Sequence, residues 1–156
     1  PTHGTQLFEE QVRSLLLVRL PGEAARTIDE PVSLLDLVPS LMGHLGLPPH
    51  GNFQGRRDIF SADYSARGRP FLFTIQGITH EDGLLLDDWK YTVNWRTGAR
   101  QLYHVASDPF ERDDLATIET QRVDQLHALL EDMLGRQLSY YTQKGWEEGR
   151  YVEAMP

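Results

Sequence analysis

The spacing of apolar residues changes near residue 70. Before that point they fall in a run or at helical spacing. After it they fall at every second position, until a last helical stripe closes the pattern. Early in the chain, Leu15-Leu16-Leu17-Val18-Arg19-Leu20 is an apolar run with Arg19 as its one interruption, stopped by Pro21-Gly22. Such a run predicts a strand covered on both faces, as in a parallel sheet, and its length suits a strand rather than a helix. One buried strand makes no sheet, so its neighbours must come from the rest of the chain or lie outside it. If they lie outside, the run is expected to be exposed, disordered or paired with another copy, because unpaired strand edges and apolar faces attract partners.

Residues 5–13 predict a short helix. Thr5 is its expected N-cap, Phe8 and Val12 its buried face, and Glu9 and Glu10 favour its positive end. Glu23 to Pro31 reads as a polar connector. Val32, Leu34, Leu35, Val38, Leu41, Met42 and Leu45 then recur at three- and four-residue spacing, which predicts a helix ended by Gly46 and Pro48-Pro49. Pro39 conflicts with a straight helix there and predicts a kink or a restart. His50 to Arg69 reads as loop, anchored by Ile59-Phe60.

From Pro70 the period is two. Phe71–Gln76, Leu84–Trp89, Lys90–Trp95 and Gln101–Ala106 predict four strands, with hairpin turns at His80-Glu81-Asp82-Gly83 and Arg96-Thr97-Gly98-Ala99. Tyr91, Val93 and Trp95 share a face, so the sheet is expected to have one covered side. Ser107-Asp108-Pro109-Phe110 closes it as a turn. Ile118, Val123, Leu126, Leu129, Leu130, Met133, Leu134 and Leu138 form the apolar stripe of a last helix, starting near Thr117 and ending at Gly145. A polar, aromatic tail runs from Trp146 to Pro156. The expected fold class is therefore α/β to α+β. Residues 1–60 supply the strand, helix and loop ending an α/β layer, and residues 61–156 an antiparallel sheet with its helix.

Composition narrows the function classes. A length of 156 residues suits one domain, or one domain and part of another, and the opening Pro1 leads us to expect a processed or cut piece. A net charge of -8 argues against nonspecific nucleic-acid binding, which needs Lys and Arg to displace counterions. No apolar window is long enough to span a membrane, and no signal peptide is visible. With no cysteine, disulfides and thiolate metal sites are excluded, and the redox compartment stays open.

Self-sufficient chemistry is not evident in the sequence. It holds no Gly-x-Ser-x-Gly elbow, phosphate loop or His-Glu-x-x-His pattern. His44 and His50 are a weak candidate metal pair across Pro48-Pro49. His104 and His127 read as structural or solvated, and His80 as an exposed turn residue. Asp87-Asp88, Asp113-Asp114 and Glu147-Glu148 read as solvated pairs, since neighbours on a strand point to opposite faces. Arg56-Arg57 is a loop charge pair able to meet an anion.

Four stretches carry a resemblance. HGTQLFEEQVRSLLLVRLPG, DEPVSLLDLVPSLMGHLGLPP, WKYTVNW and QLYHVASDPFERDDLA follow one another in the order found in the closing half of the sulfatases, members of the alkaline phosphatase-like superfamily. There a Lys-Gly-Thr or His-Gly-Thr turn leads into an acidic helix and a core strand ending in Pro-Gly. A Leu-Leu-Asp-Leu-x-Pro helix, a Lys-Tyr strand and a Leu-Tyr-Asp-Leu…Asp-Pro-x-Glu…Asn-Leu-Ala motif follow. This chain departs at His104, where the motif has Asp, and at Asp113 or Asp114, where it has Asn.

The resemblance implies the C-terminal part of a sulfatase-like fold: the end of a large α/β layer, then a small four-stranded antiparallel sheet packed by a long C-terminal helix. It implies hydrolysis of sulfate, phosphate or phosphonate esters by the parent. The family's nucleophile, a Cys or Ser converted to formylglycine, and its calcium ligands fall before the stretch matched here. The isolated chain is therefore expected to be inactive. Its implied partners are a preceding sulfatase-like domain and an ester substrate, with a second copy of the chain as a further candidate. His3 matches the family's basic sulfate-oxygen ligand, a residue able to bond the anion or protonate the leaving oxygen. Most sulfatase relatives are exported or lysosomal, so the resemblance implies a periplasmic or secreted location, although nothing in this sequence encodes export. Two alternatives stay open: a noncatalytic interaction module, and part of a phosphoryl- or phosphoethanolamine-type transferase.

Overall fold

A computed structural model describes residues 5–142 other than 49, 51, 52, 56 and 78. Four strands form one antiparallel sheet in chain order: β1 (Pro70–Gln76), β2 (His80–Leu86), β3 (Trp89–Asn94) and β4 (Arg100–His104). Two helices precede the sheet, α1 (Glu9–Val12) and α2 (Leu34–His44), and the long helix α3 (Thr120–Thr142) follows it. The expected antiparallel sheet with its closing helix is thus present.

Register explains the core. Leu72 lies opposite Leu84, Leu84 opposite Tyr91, and Tyr91 opposite Leu102. That row, with Val93, meets Val123, Leu126 and Leu130 of α3. Side chains of this kind contribute about 1.5–3 kcal/mol each when buried, enough to hold α3 on the sheet. At the ends of the predicted stripe, Ile118 and Leu138 are exposed, and α3 starts at Thr120 rather than near Thr117. Gly145, its expected end, and the tail lie outside the described residues.

Two turns differ from expectation. His80-Glu81-Asp82-Gly83 is not a hairpin turn but the first half of β2, and residues 77–79 make the connection. Asp87-Asp88 is not strand but the turn between the paired Leu86 and Trp89. Asp87 has a φ of 53°, a conformation that Asp tolerates better than most residues, and its carboxylate accepts the Gly68 N–H at 2.7 Å. The Asp82-Gly83 pair suggests a turn by composition, yet Gly83 is needed for a close approach. A Cβ there would stand 2.6 Å from the Tyr91 carbonyl oxygen and 3.3 Å from Leu7.

The second correction concerns the sheet's other face, which was expected to be open. Leu7, 4% exposed, lies against it at Gly83, and Phe8 meets the Tyr103 ring at 6.1 Å. The predicted N-terminal helix is correspondingly shorter. It begins at Glu9 after Phe8, and Thr5 does not cap it. Leu7, not Phe8 or Val12, is the buried anchor, because the segment packs mainly through the extended residues before the helix.

Helix α2 runs through Pro39 without a break. Ser33 caps it, its hydroxyl accepting the Leu35 N–H at 3.2 Å. Proline has no N–H, so the Leu35 carbonyl lacks its helical donor. Gly55 lies directly over that carbonyl: a Cβ on Gly55 would fall 2.0 Å from the oxygen. Ser40 then ties the loop down, donating to the Asp36 carbonyl at 2.6 Å and accepting the Ile59 N–H at 3.0 Å. Ile59 is buried, as its anchoring role requires.

The run Leu15–Leu20 forms no strand. Leu15 and Leu17 are 84% and 83% exposed, and no described strand pairs with them. The missing strand has a simple cause. A strand needs a ladder partner, and the four strands among the described residues pair with one another in the small sheet, none of them with this run. On α2, Leu34, Val38 and Leu45 are likewise exposed, at positions that share one helical face.

Candidate functional site

The N-terminal segment is where the sequence places the chain's one matched site residue, so its anchoring comes first. His3 lies outside the described residues. Two residues on, the Thr5 carbonyl accepts the Thr79 hydroxyl at 3.1 Å, which ties the segment to the connection between β1 and β2. Leu7 and Phe8 follow on the sheet, and Glu9 ends the anchor.

Glu9 belongs to a buried charge cluster that the sequence did not reveal. The Lys90 ammonium, at 0% exposure, lies 3.0 Å from Glu9 Oε1 and 2.8 Å from Glu111 Oε1. Glu111 Oε2 accepts the Glu9 backbone N–H at 2.7 Å. Phe73 lies 5.6 Å from the ammonium. Glu111 itself has a φ of 52°, an unusual conformation for Glu that surrounding contacts must hold. Lys90 alternates with Tyr91 and so falls on the face opposite the one that Tyr91, Val93 and Trp95 were expected to cover. Glu9 looked like a helix-end charge. Only the covering of the second face turns the two inward.

Beside this cluster is a cavity of about 100 Å³ lined by Leu7, Phe8, Thr92, Gln101, Tyr103 and Glu111 among others. Burial pushes the Tyr103 phenol up to about 12, helped by the nearby charges of Asp114, Glu111 and Asp108. Its hydroxyl accepts from Gln101 Nε2 at 2.9 Å. The cluster has no exposed nucleophile. Its chemistry is that of a lock, holding the N-terminal segment to β3 and to the loop after β4.

A second buried pair joins Asp36 of α2 to Arg69, just before β1. Asp36 is fully buried, and its other oxygen accepts the Arg57 N–H at 3.2 Å. Arg56, the other half of the candidate anion pair, lies outside the described residues. The remaining candidates fall apart in space. His44 packs on the Phe60 ring at 6.2 Å, and His50 on Phe53 at 5.7 Å. His104 stands 4.7 Å from the Trp89 ring, with Nδ1 2.8 Å from the Ser107 hydroxyl. His127 Nδ1 lies 3.0 Å from the Tyr91 hydroxyl. Burial raises that phenol as well, to about 12.

Asp114, one of the two residues standing where the family has Asn, accepts the Leu102 N–H at 3.0 Å and the Ala116 N–H at 2.9 Å. An Asn side-chain oxygen would serve the same two donors. Asp108 accepts the N–H groups of Arg112 and Asp113. Within the candidate acidic pairs, Asp87 and Asp114 thus staple a turn and a loop, and Glu147-Glu148 lies outside the described residues. Among the described residues no three His, Asp or Glu side chains come together as a cation site.

The fold, an antiparallel sheet of four strands closed by a long helix, is sulfatase-like. Solved structures similar to this chain include one from Bacteroides thetaiotaomicron assigned to the sulfatases and one described as a 2-O GAG sulfatase. Both are 21% identical to this chain over 69% of its length, with TM-scores of 0.54 and 0.53. The chain covers 25% and 26% of their respective lengths, so the likeness concerns about a quarter of each. No protein-family profile and no curated protein matches the chain.

Proposed function

We propose that this chain is the closing portion of a sulfatase-like hydrolase of sulfate esters. Its sheet and α3 lean against a larger parallel sheet, and its N-terminal segment reaches that sheet through Leu15–Leu20. The observation that carries this reading is the exposed run Leu15, Leu17 and Val18 in a chain whose fold matches about a quarter of a sulfatase. An apolar segment of strand length, left outside the chain's own sheet, fits a place between strands supplied elsewhere.

In this reading the nucleophile and the calcium belong to the preceding part of the parent. Cleaving a charged sulfate ester needs a strong nucleophile and a cation that neutralises the oxyanion. This chain adds a wall of the cleft and one basic contact, His3, which bonds a sulfate oxygen or protonates the leaving oxygen. The lock formed by Lys90, Glu9 and Glu111 fixes the segment that follows His3.

The test is the coding sequence upstream of Pro1. The reading predicts an open frame holding Cys/Ser-x-Pro-x-Arg and an Asp-Asp pair, and a full-length product that cleaves an aryl sulfate. A frame without either motif would favour the noncatalytic interaction module. A Thr nucleophile and preference for an aryl phosphodiester would assign the chain to a phosphoryl-transferring relative.

A further inference from the structure

The two outer edges of the sheet, on β1 and β4, are finished differently. The chain closes the β4 edge itself. The Leu102 N–H donates to the Asp114 carboxylate at 3.0 Å, and the Leu102 carbonyl accepts the Leu115 N–H at 2.8 Å. The β1 edge has no such cover. The His80 carbonyl accepts the Trp95 N–H at 2.9 Å, so His80 turns its backbone toward β3 and away from Gln76, its opposite on β1. By strand alternation the backbones of Leu72, Thr74 and Gln76 then face outward. Among the described residues no hydrogen bond reaches the N–H or carbonyl groups of these three.

An open edge is ordinarily guarded by a charge, an internal proline or a bulge. Strand β1 has none of them. It reads Pro-Phe-Leu-Phe-Thr-Ile-Gln, whereas β2 carries Glu81 and Asp82, β3 carries Lys90 and β4 carries Arg100. Its one proline stands at the first position, and its register with β2 is unbroken from Pro70 to Gln76. Phe71, Phe73 and Ile75 share one face and are only half-buried. Each chain has a net charge of -8, so two copies repel over much of their surface, and an uncharged edge is where that repulsion opposes contact least.

We infer that β1 pairs antiparallel with β1 of a second copy, about a two-fold axis at Phe73, to make one sheet continuous across both chains. The strand is complementary to itself in this register. Leu72 and Thr74 of opposite copies exchange their outward N–H and carbonyl bonds. The Gln76 N–H reaches the partner's Pro70 carbonyl, and Pro70, with no N–H of its own, leaves no donor stranded in the ladder. Phe73 faces Phe73 of the partner subunit in a non-hydrogen-bonded pair, where side chains approach most closely, and Phe71 faces Ile75 of the partner subunit. Aromatic pairs and aromatic–β-branched pairs of this kind favour antiparallel strands. The inference rests on β1 alone and is independent of the proposed function.

The test is sedimentation of this chain at concentrations up to about 0.1 mM, a range suited to a small interface. It is made in the background of Leu15→Ser with Leu17→Ser, so that association through that run is removed. We expect a dimer. Thr74→Pro takes away an outward N–H on each side of the axis without touching the ladder to β2, and should weaken the dimer at least about tenfold. Circular dichroism should show that variant folded. Register is read separately by crosslinking, since the chain has no cysteine of its own. Under mild oxidation Phe73→Cys should form a disulfide-linked dimer, because the two thiols oppose each other, whereas Ile75→Cys should not. A monomer throughout overturns the inference, as does a dimer that a folded Thr74→Pro leaves intact. Should Thr74→Pro unfold, the crosslinks decide: equal yields at positions 73 and 75, or none at 73, overturn it.

Discussion

The Lys90 ammonium lies 2.8 Å from Glu111 Oε1, with both side chains withdrawn from water, at 0% and 1% exposure. Strand β3 and the loop after β4 are thereby joined across the face that receives the N-terminal segment. An ammonium held this deeply is stable only while its carboxylates stay, since an uncompensated buried charge is costly. Lys90→Met should therefore destabilise the chain by about 3–5 kcal/mol. The double variant Lys90→Met with Glu111→Gln should recover part of that loss, because the new amide still accepts from the Glu9 N–H. The exposed Arg136–Asp132 pair provides the contrast, and Arg136→Ala should cost no more than about 1 kcal/mol. Urea unfolding of the four proteins checks the ranking.

Gly55 and Gly135 should respond in opposite directions to the same substitution. A methyl group on Gly55 meets the Leu35 carbonyl oxygen at 2.0 Å, and the atoms it meets are all helix backbone. Gly55→Ala should push the loop off α2 and lower stability by about 1–3 kcal/mol, on the order of overpacked core positions. Gly135 lies within α3 with nothing within 4 Å of the new methyl. Gly135→Ala should stabilise by about 0.5–1 kcal/mol through helix propensity. Thermal unfolding distinguishes the two outcomes directly.

Alkaline pH should unfold the chain through its tyrosines. Burial raises Tyr91 and Tyr103 from the ordinary phenol value of 10.0 to about 12 in the folded state. Below the unfolded value both phenols are neutral in either state, and their contribution is fully present. As pH rises from there through the folded value, the unfolded chain ionises first, and stability falls. The loss should approach about 2–3 kcal/mol for each tyrosine by the end of that window. Tyr103→Phe should flatten the fall by roughly half. A profile unchanged by that variant would contradict the assignment.

The sheet and α3 were largely legible in the sequence because their signals are local. Alternation in Tyr91 and Val93, and the stripe Val123, Leu126 and Leu130, each point to one face without knowledge of the other. The lock was not legible, because its three members are spread over a hundred residues and each has an ordinary local reading. Lys90 alternates like a surface residue, Glu9 opens a helix, and Glu111 sits in a turn motif. Gly83 failed for a related reason. Next to Asp82 it suggests a turn, whereas Leu7, far back in the chain, is what makes the glycine necessary. The apolar run Leu15–Leu20 suggests a strand by its pattern, but a strand needs a partner, and none of the described residues supplies one. His3 lies outside the described residues, so its role rests on the motif it matches.

Leu15 and Leu17 should govern how the isolated chain behaves in solution. Together with the exposed Leu34 and Val38, they present apolar side chains to water. Leu15→Ser with Leu17→Ser should reduce self-association, measured by sedimentation, while leaving the unfolding temperature within about a degree, since surface changes of this kind shift stability little. If the proposed function holds, the same pair in a longer protein should lower stability by about 2–5 kcal/mol, as buried leucines do when truncated.

The most direct measurement is amide hydrogen exchange at Leu15–Leu20, made on this chain and on the same chain extended to its upstream frame. Burial of the run in a sheet contributed by the larger body predicts fast exchange alone and strong protection in the extended protein, while the amides of β3 stay protected in both. Equal, rapid exchange of the run in the two proteins would contradict it.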